Sequence, residues 1–317
     1  MGDTATLVSV VIPNWNGIRF LERCLEAIYS QTYPHVEVIF VDNGSDDESV
    51  PFVKSRFPEI RILGLPRNLG FAPAINRGIA DANGAFILTL NNDTEMAAGC
   101  VAALVEALSR NTQVGSCAPK IVGFESPQVI VNVGIESPEF KPADRGFGEL
   151  DSGQYDEPAE IFGVNAGAGL YRKKMLDDVG LFDEDFESYY EDVDLAWRAR
   201  LAGWGCLYVP QAICRHEFGG TSKARPFYTE YHIFKNIIWV HVKDLPLRYF
   251  REKIATLLKQ EIVFWLDHIR RWDTKWLRMK AHTYIKLPKM CLKRRRIMRS
   301  RRIDDREFEK WYRPGAP

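Results

Sequence analysis

Residues 7–12 form an apolar run broken only by Ser9 and rich in β-branched side chains. Such a run suits a strand buried on both faces. Phe20, Leu21, Cys24, Leu25 and Ile28 then recur at the spacing of one helix face. Residues 36–41 and 60–65 read as further buried strands, 73–82 as a helix and 85–90 as a fourth strand. Val101, Leu104, Val105 and Leu108 share the next helical face. Strands alternating with helices predict an α/β fold with a mostly parallel sheet flanked by helices. Ligands of such sheets bind beyond the carboxyl ends of the strands, so the residues following each strand are the first place to look for chemistry.

The middle of the chain is less regular. Residues 123–160 are dense in Gly, Pro, Asp and Glu and read as loops and short strands. A short helix over 173–179 is stopped by Gly180, and another runs from near Glu191 to Ala202 with Gly203 closing it. Residues 206–209 read as one more strand. Beyond about 226 the pattern changes to long helices. There Phe250, Ile254, Leu257, Leu258, Ile262, Trp265, Ile269, Trp272 and Trp276 step by three to five and are expected on one face. The organisation that follows is a sheet-based domain over 1–225 and a helical, basic region over 226–317.

Composition adds little, but charge distribution adds something. With 317 residues, 46% of them apolar, the chain can bury a large core, and its net charge is zero. Residues 243–317 nevertheless carry 22 Lys and Arg against 9 Asp and Glu. A basic tail on an acidic body points to an anionic surface, lipid or nucleic acid. The six cysteines form no C-x-x-C pair and suit a reducing compartment. The N-terminus lacks a basic n-region, so no signal peptide is expected. The best apolar run, 233–242, contains Lys235, Asn236 and His241 and is too short to span a bilayer.

Three clusters carry candidate chemistry. The predicted strand ends read Pro13-Asn14-Trp15-Asn16-Gly17, Asp42-Asn43-Gly44-Ser45 and Asn91-Asn92-Asp93-Thr94. Turn chemistry accounts for any one of them; three in succession at one sheet edge favour a ligand site. Neither a G-x-G-x-x-G nor a P-loop is present, which disfavours those two phosphate cradles. A diphosphate would then be neutralised by a divalent cation on carboxylates, Mg2+ or Mn2+, with Asp93 the natural ligand. The second cluster packs seven carboxylates into residues 183–194, interleaved with aromatics. Partial burial there raises carboxyl pKa values. Asp192 falls at a helix N-terminus, where a cap and a catalytic base are equally good readings. The third is His216, followed by Gly219-Gly220-Thr221-Ser222, a loop suited to closing over a ligand.

Taken in order, residues 10–16, 41–45, 68–72, 90–93 and 191–195 resemble glycosyltransferase family 2 over about residues 7–225, and within it a rhamnosyltransferase-like branch. The resemblance implies a GT-A fold, to which the helical region read from the pattern beyond 226 is a C-terminal appendage. It implies that Asp42, Asn43 and Gly44, with Pro13, Asn14 and Asn16, hold the nucleotide, and that Asn68, Gly70 and Asn92 lie near the ribose and phosphates. Asp93 would hold the cation and His216 would be a further metal or phosphate contact. Asp192 would be the general base of an inverting transfer, with Glu191, Gly167 and Ala168 on the acceptor side. Asn91 departs from the family pattern, where many members have an aspartate.

The function expected from this resemblance is transfer of a sugar, rhamnose from dTDP-rhamnose or else a UDP-sugar, to a glycan or lipid-linked acceptor in polysaccharide synthesis. A sugar-nucleotide pyrophosphorylase is disfavoured, because no glycine-rich loop with Arg and Lys follows the first strand. A non-catalytic binding protein is disfavoured because Asp93 and Asp192 are both present. For the tail, Trp265, Trp272 and Trp276 share a helix with Lys and Arg, and 289–302 is strongly basic. An anionic membrane is the expected partner, ahead of packing on the core or dimerisation; nucleic acid is not expected, since no binding module is recognisable. The chain is thus expected in the cytoplasm, peripheral on the inner face of the membrane.

Overall fold

In a computed structural model describing residues 6–217 and 226–313, the first half alternates as its apolar pattern predicts. The parallel strands β1 (Val8–Asn14), β2 (Val36–Asp42), β3 (Arg61–Gly64) and β4 (Phe86–Leu90) are linked by helices α1 (Ile18–Tyr29), α2 (Ser49–Arg56) and α3 (Phe71–Ala80). Then come β5 (Thr94–Met96), α4 (Cys100–Arg110), β6 (Val114–Gly123), β7 (Ile130–Asn132), β8 (Ile135–Glu136), β9 (Ala143–Asp144), β10 (Ala159–Glu160) and β11 (Ala168–Arg172). After α5 (Lys173–Val179) and α6 (Glu191–Leu201), β12 (Gly205–His216) completes the main sheet, ordered β10-β12-β6-β11-β4-β1-β2-β3.

Alternation along each strand feeds two cores. Val8, Val10 and Ile12 of β1 meet α1 and α4 on one side of the sheet, while Val11 meets α3, α5 and α6 on the other. The sheet is mostly parallel among its N-terminal strands, but β11 enters antiparallel between β4 and β6. Several elements, β5, β11, α2 and β6 among them, lie outside the sequence expectations. In α2 the only buried side chains are Ser49 and Val53, so no apolar stripe marks it. The ten-residue β6 reads Val-Gly-Ser-Cys-Ala-Pro-Lys-Ile-Val-Gly, which carries neither alternation nor a β-branched run.

Beyond the sheet, five helices follow among the described residues: α7 (Pro226–Asp244), α8 (Leu247–Arg270), α9 (Thr274–Ile285), α10 (Leu287–Ser300) and α11 (Asp305–Tyr312). They are not separately packed from the sheet. Trp197 of α6, stacked on Phe140 with ring centroids 4.0 Å apart, shares a third core with Trp239, Tyr249, Met290, Phe308 and Tyr312. The apolar positions expected on one helical face divide instead. Phe250, Ile254, Leu257 and Trp265 are partly buried, whereas Leu258, Ile262, Ile269 and Trp272 lie exposed. The basic run 289–302 also divides. Lys289 and Lys293 reach Asp185, Lys293 also pairs with Asp183, and Met290 and Ile297 are buried. No helix among the described residues is long and apolar enough to cross a membrane.

Candidate functional site

Because β1, β2 and β4 run parallel, with Asn14 in register with Asp42, their carboxyl ends meet. The polar residues that follow tie these ends together. Asn92 Nδ2 donates to Asn14 Oδ1 at 2.6 Å, and Asn14 Nδ2 donates to Ser45 Oγ at 3.1 Å. Asn16, at φ 51°, exchanges two hydrogen bonds with Asp46. A Cβ on Gly17 would stand 2.0 Å from Asn92 Nδ2, so this close approach needs glycine.

A second set of bonds joins this edge to the far wall. Asn43 Oδ1 accepts from Leu69 N and its amide donates to Gly70 O, each at 2.9 Å. Gly70 has φ 93°, and a Cβ there would sit 2.6 Å from Glu187 O. Ala72 N then donates to that same carbonyl at 2.8 Å. The segment 68–72 therefore spans from the ends of β1 and β2 to the loop preceding α6.

That loop holds Glu187, Tyr189 and Tyr190 at φ 65–66°, a costly conformation for side chains of this size. Helix α7 clamps it. The Asn236 amide donates to the carbonyls of Phe186, Ser188 and Tyr189 at 3.0, 2.9 and 2.7 Å, and His232 Nδ1 lies 3.2 Å from Phe186 O. Burial pushes His232 down to about 3, so it is neutral. Asn236→Ala should leave buried carbonyls unpaired and cost about 1–3 kcal/mol, read as a lowered urea midpoint. A change within a few tenths would show that the clamp is redundant.

The loop delivers Asp192 to the first turn of α6. Its Oδ2 accepts from Ala166 N at 3.3 Å and its Oδ1 from Val193 N at 2.8 Å. Burial pushes its carboxyl up to about 6, against the stabilising backbone donors, with nearby Asp144 adding to the rise. Glu191 beside it is 6% exposed, its Oε2 has no hydrogen-bond partner among the described residues, and burial holds its carboxyl well above the usual range. Of the seven carboxylates, Asp183 and Asp185 go the other way. Burial raises them, but Lys243 and Lys293 on Asp183, and Lys289 and Lys293 on Asp185, outweigh it and hold both low.

Asp93 follows β4, and the pairing of β5 with β12 brings His216 to it, Nε2 to Oδ1 3.1 Å. Among the described residues no group of three or more His, Cys, Asp and Glu gathers as a metal cage. The loop 219–222 lies outside the described residues.

These parts enclose a cleft of about 470 Å3, within the range of small-molecule sites. Pro13, Asn14, Asn43, Asn68, Gly70, Asn92, Asp93, Gly167, Glu191 and Asp192 all line it. Asn16, Asp42, Gly44, Ala168 and His216 are not part of that lining. Asp42 accepts from Ser45 N at 3.3 Å, Gly44 turns at φ 76° against the Arg67 backbone, and Ala168 pairs with Leu90 in the sheet. Several lining residues lie outside the sequence reading: Asp144, Asn165 and Tyr228. Asp144 accepts from Asn132 at 2.5 Å and from Asn165 at 3.4 Å, and burial raises its carboxyl. It sits in the irregular 123–160 segment, where no periodicity marks a residue; only its charge amid Gly and Pro was a signal.

Known proteins resemble this chain in sequence and in fold. An N-acetylglucosaminyl-diphospho-decaprenol L-rhamnosyltransferase of Mycobacterium tuberculosis is 31% identical over 219 residues, 62% of this chain and 71% of that protein. A poly-beta-1,6-N-acetyl-D-glucosamine synthase of Staphylococcus epidermidis is 23% identical, over 65% of this chain and 49% of its own length. The solved structure of GalNAc-T7 with UDP, GalNAc and Mn2+ superposes with a TM-score of 0.59 at 18% identity, covering 75% of this chain and 48% of that one. That likeness shows the GT-A fold. The family model for glycosyl transferase family 2 matches residues 9–180, more than half of the chain, and to that family the chain belongs.

Proposed function

We propose that this glycosyltransferase moves a sugar from a nucleotide-diphosphate donor to a hydroxyl of a glycan or lipid-linked saccharide, inverting the anomeric carbon. The observation carrying this reading is that one cleft holds the Asn92-Asp93 strand end and, on its other wall, Asp192 with a carboxyl pushed up to about 6. Asp42, Asn43, Gly44, Pro13, Asn14 and Asn16 shape the nucleotide side, and Asn68, Gly70 and Asn92 the ribose and phosphate side. Asp192 accepts the acceptor hydroxyl proton while that oxygen bonds to the anomeric carbon. The bond to the diphosphate breaks on the opposite face, and its electron pair leaves on the phosphate oxygen. Glu191, Gly167 and Ala168 flank the acceptor. Residues 1–225 form the catalytic domain, and α7 of the helical region 226–317 contributes Tyr228 and Ile233 to the cleft.

Asp93 and His216 fit a divalent cation, Mg2+ or Mn2+. They offer one carboxylate and one imidazole, and such ions take few protein ligands when phosphate oxygens and water complete the shell. When bound, the ion neutralises the diphosphate and improves it as a leaving group. For the donor, dTDP-rhamnose is favoured by the rhamnosyl specificity in the mycobacterial relative's name, with a UDP-sugar the alternative. The decaprenol in that name supports a lipid-linked acceptor and a peripheral position on the cytoplasmic membrane face.

A thermal-shift panel of nucleotide sugars with Mn2+ tests the donor. A ligand near 100 times its Kd stabilises the fold by about 2.7 kcal/mol. Asp93→Ala should lose most of that stabilisation and nearly all response to chelator. If chelator leaves donor binding and hydrolysis of the unaltered protein unchanged, the cation assignment is wrong.

A further inference from the structure

We propose that the outer face of α8 is a lipid-docking surface, which seats the protein on an anionic bilayer beside the mouth of the cleft. The inference builds on the proposed position at a membrane and assigns it to a specific surface. Leu258, Ile262, Leu266 and Ile269 are each 54–66% exposed. At 100° per residue they fall on one stripe of the helix, and Trp272 follows at its end, 83% exposed. Polar side chains would cost nothing at positions so open to water. Other residues of α8 already meet α9: Trp265, at the margin of this stripe, stacks on Tyr284, and Phe264, on the far side, packs against Trp276. The outer stripe is therefore a second apolar face, not the one that folds the helix down.

Charge identifies the occupant. Arg251, Lys259, Arg270 and Lys275 are exposed around the stripe, and none pairs with a carboxylate among the described residues. The acids of α8 are already engaged. Glu261 turns inward to Lys280, Asp267 holds Arg271, and Glu252 pairs with Arg248 and Arg313. An apolar stripe with Trp at its end and unpaired cations along its flank matches an anionic lipid interface. A second copy of the chain would bring the same cations face to face, which opposes self-association. The basic run 289–302 is less suited to this role, since Lys289 and Lys293 are committed to Asp185 and Asp183.

The surface also continues to the cleft. Trp276 packs edge-on to Phe227 at 5.5 Å and to Phe234 at 5.3 Å, and these two rings are 40% and 45% exposed. Tyr228 and Ile233, their sequence neighbours on α7, line the cleft. A saccharide anchored in the bilayer by its lipid would thus be presented to the cleft wall that carries Tyr228.

Co-sedimentation of the full chain with vesicles tests this. Phosphatidylglycerol–phosphatidylcholine vesicles should bind it, phosphatidylcholine vesicles less, and added salt should weaken binding. Ile262→Asp with Leu266→Asp should lower partitioning by about tenfold or more, since burying such side chains is the main apolar contribution. Lys259→Glu with Arg270→Glu should abolish the preference for anionic lipid. Both variants alter exposed positions only and should keep the melting temperature and donor hydrolysis of the parent. Vesicle binding unchanged by the two aspartates overturns the proposal. So does a parent that ignores both vesicles and elutes as a dimer that the aspartates split, which would assign the face to a second copy. Vesicle binding without donor hydrolysis would sink the proposed activity and leave this surface standing.

Discussion

Replacing Asp192 by Asn is expected to cut transfer by about a hundredfold to ten-thousandfold while donor binding stays near the parent value. The amide preserves shape and its single oxygen keeps one of the two backbone donors, Ala166 N or Val193 N, but it takes no proton at neutral pH. The loss should therefore fall on kcat, with the thermal shift by donor retained. A pH profile gives a second readout. The carboxyl, pushed up to about 6, is an effective base only when ionised. So kcat/KM should level off above about pH 6 and fall roughly tenfold per unit below it. Asp144 helps to raise that carboxyl, so Asp144→Asn should move the acid limb to lower pH. Activity of Asp192→Asn within a few-fold of the parent would move the role of base elsewhere, and Glu191 would then be examined first.

Much of this site was legible in the sequence because its parts follow strands. Asn14, Asn43, Asn92 and Asp93 each stand within three residues of a buried strand's end, where parallel topology brings them together. Asp192 was legible because helix α6 starts where the seven-carboxylate run meets an apolar pattern. What escaped is what tertiary packing decides. Asp144 and Asn165 are contributed by irregular segments between short strands. Tyr228 enters from a helix whose sequence reads only as part of an appendage. The long helical stripe expected as one face became two, because α8 turns Phe264 and Trp265 to α9 and leaves Leu258 and Ile262 outside. The basic run looked uniformly suited to an anionic partner. In the fold, part of that charge neutralises the acidic run beside the loop that precedes α6, and no pattern within either run shows that the two meet.

That meeting makes Lys243 the position where one substitution should destabilise the fold most. Its ammonium is 3% exposed and bridges Asp183, at 2.6 Å from Oδ2, and Asp194, which Arg198 also holds at 2.8 Å. Asp183 carries Lys293 as well, and Lys293 continues to Asp185 at 2.5 Å. Removing one member of a buried network leaves an uncompensated charge, so Lys243→Ala should cost about 3–5 kcal/mol, far above the roughly 0–1 kcal/mol of an exposed pair. The acid side should change with it. Asp183 has a depressed carboxyl in the folded state, so it contributes stability above its unfolded value near 4, which is lost as pH falls through the lower folded value. Lys243→Ala should shrink that gain and flatten the loss between neutral and acid pH. Asp244 provides the control. Burial and neighbouring Asp194 hold its carboxyl well above the ordinary range, so its charged form is disfavoured there, and Asp244→Asn, which keeps the shape, should be close to neutral. Urea unfolding of the two variants at neutral and acid pH separates these cases, and a cost below about 1 kcal/mol for Lys243→Ala would mean the bridge is solvated in solution. The same contacts decide what truncation does. Residues 289–317 carry Lys293 with buried Met290, Ile297, Phe308 and Tyr312, so their removal strips the support from the loop that carries Asp192 and should cost the fold before it costs any surface binding.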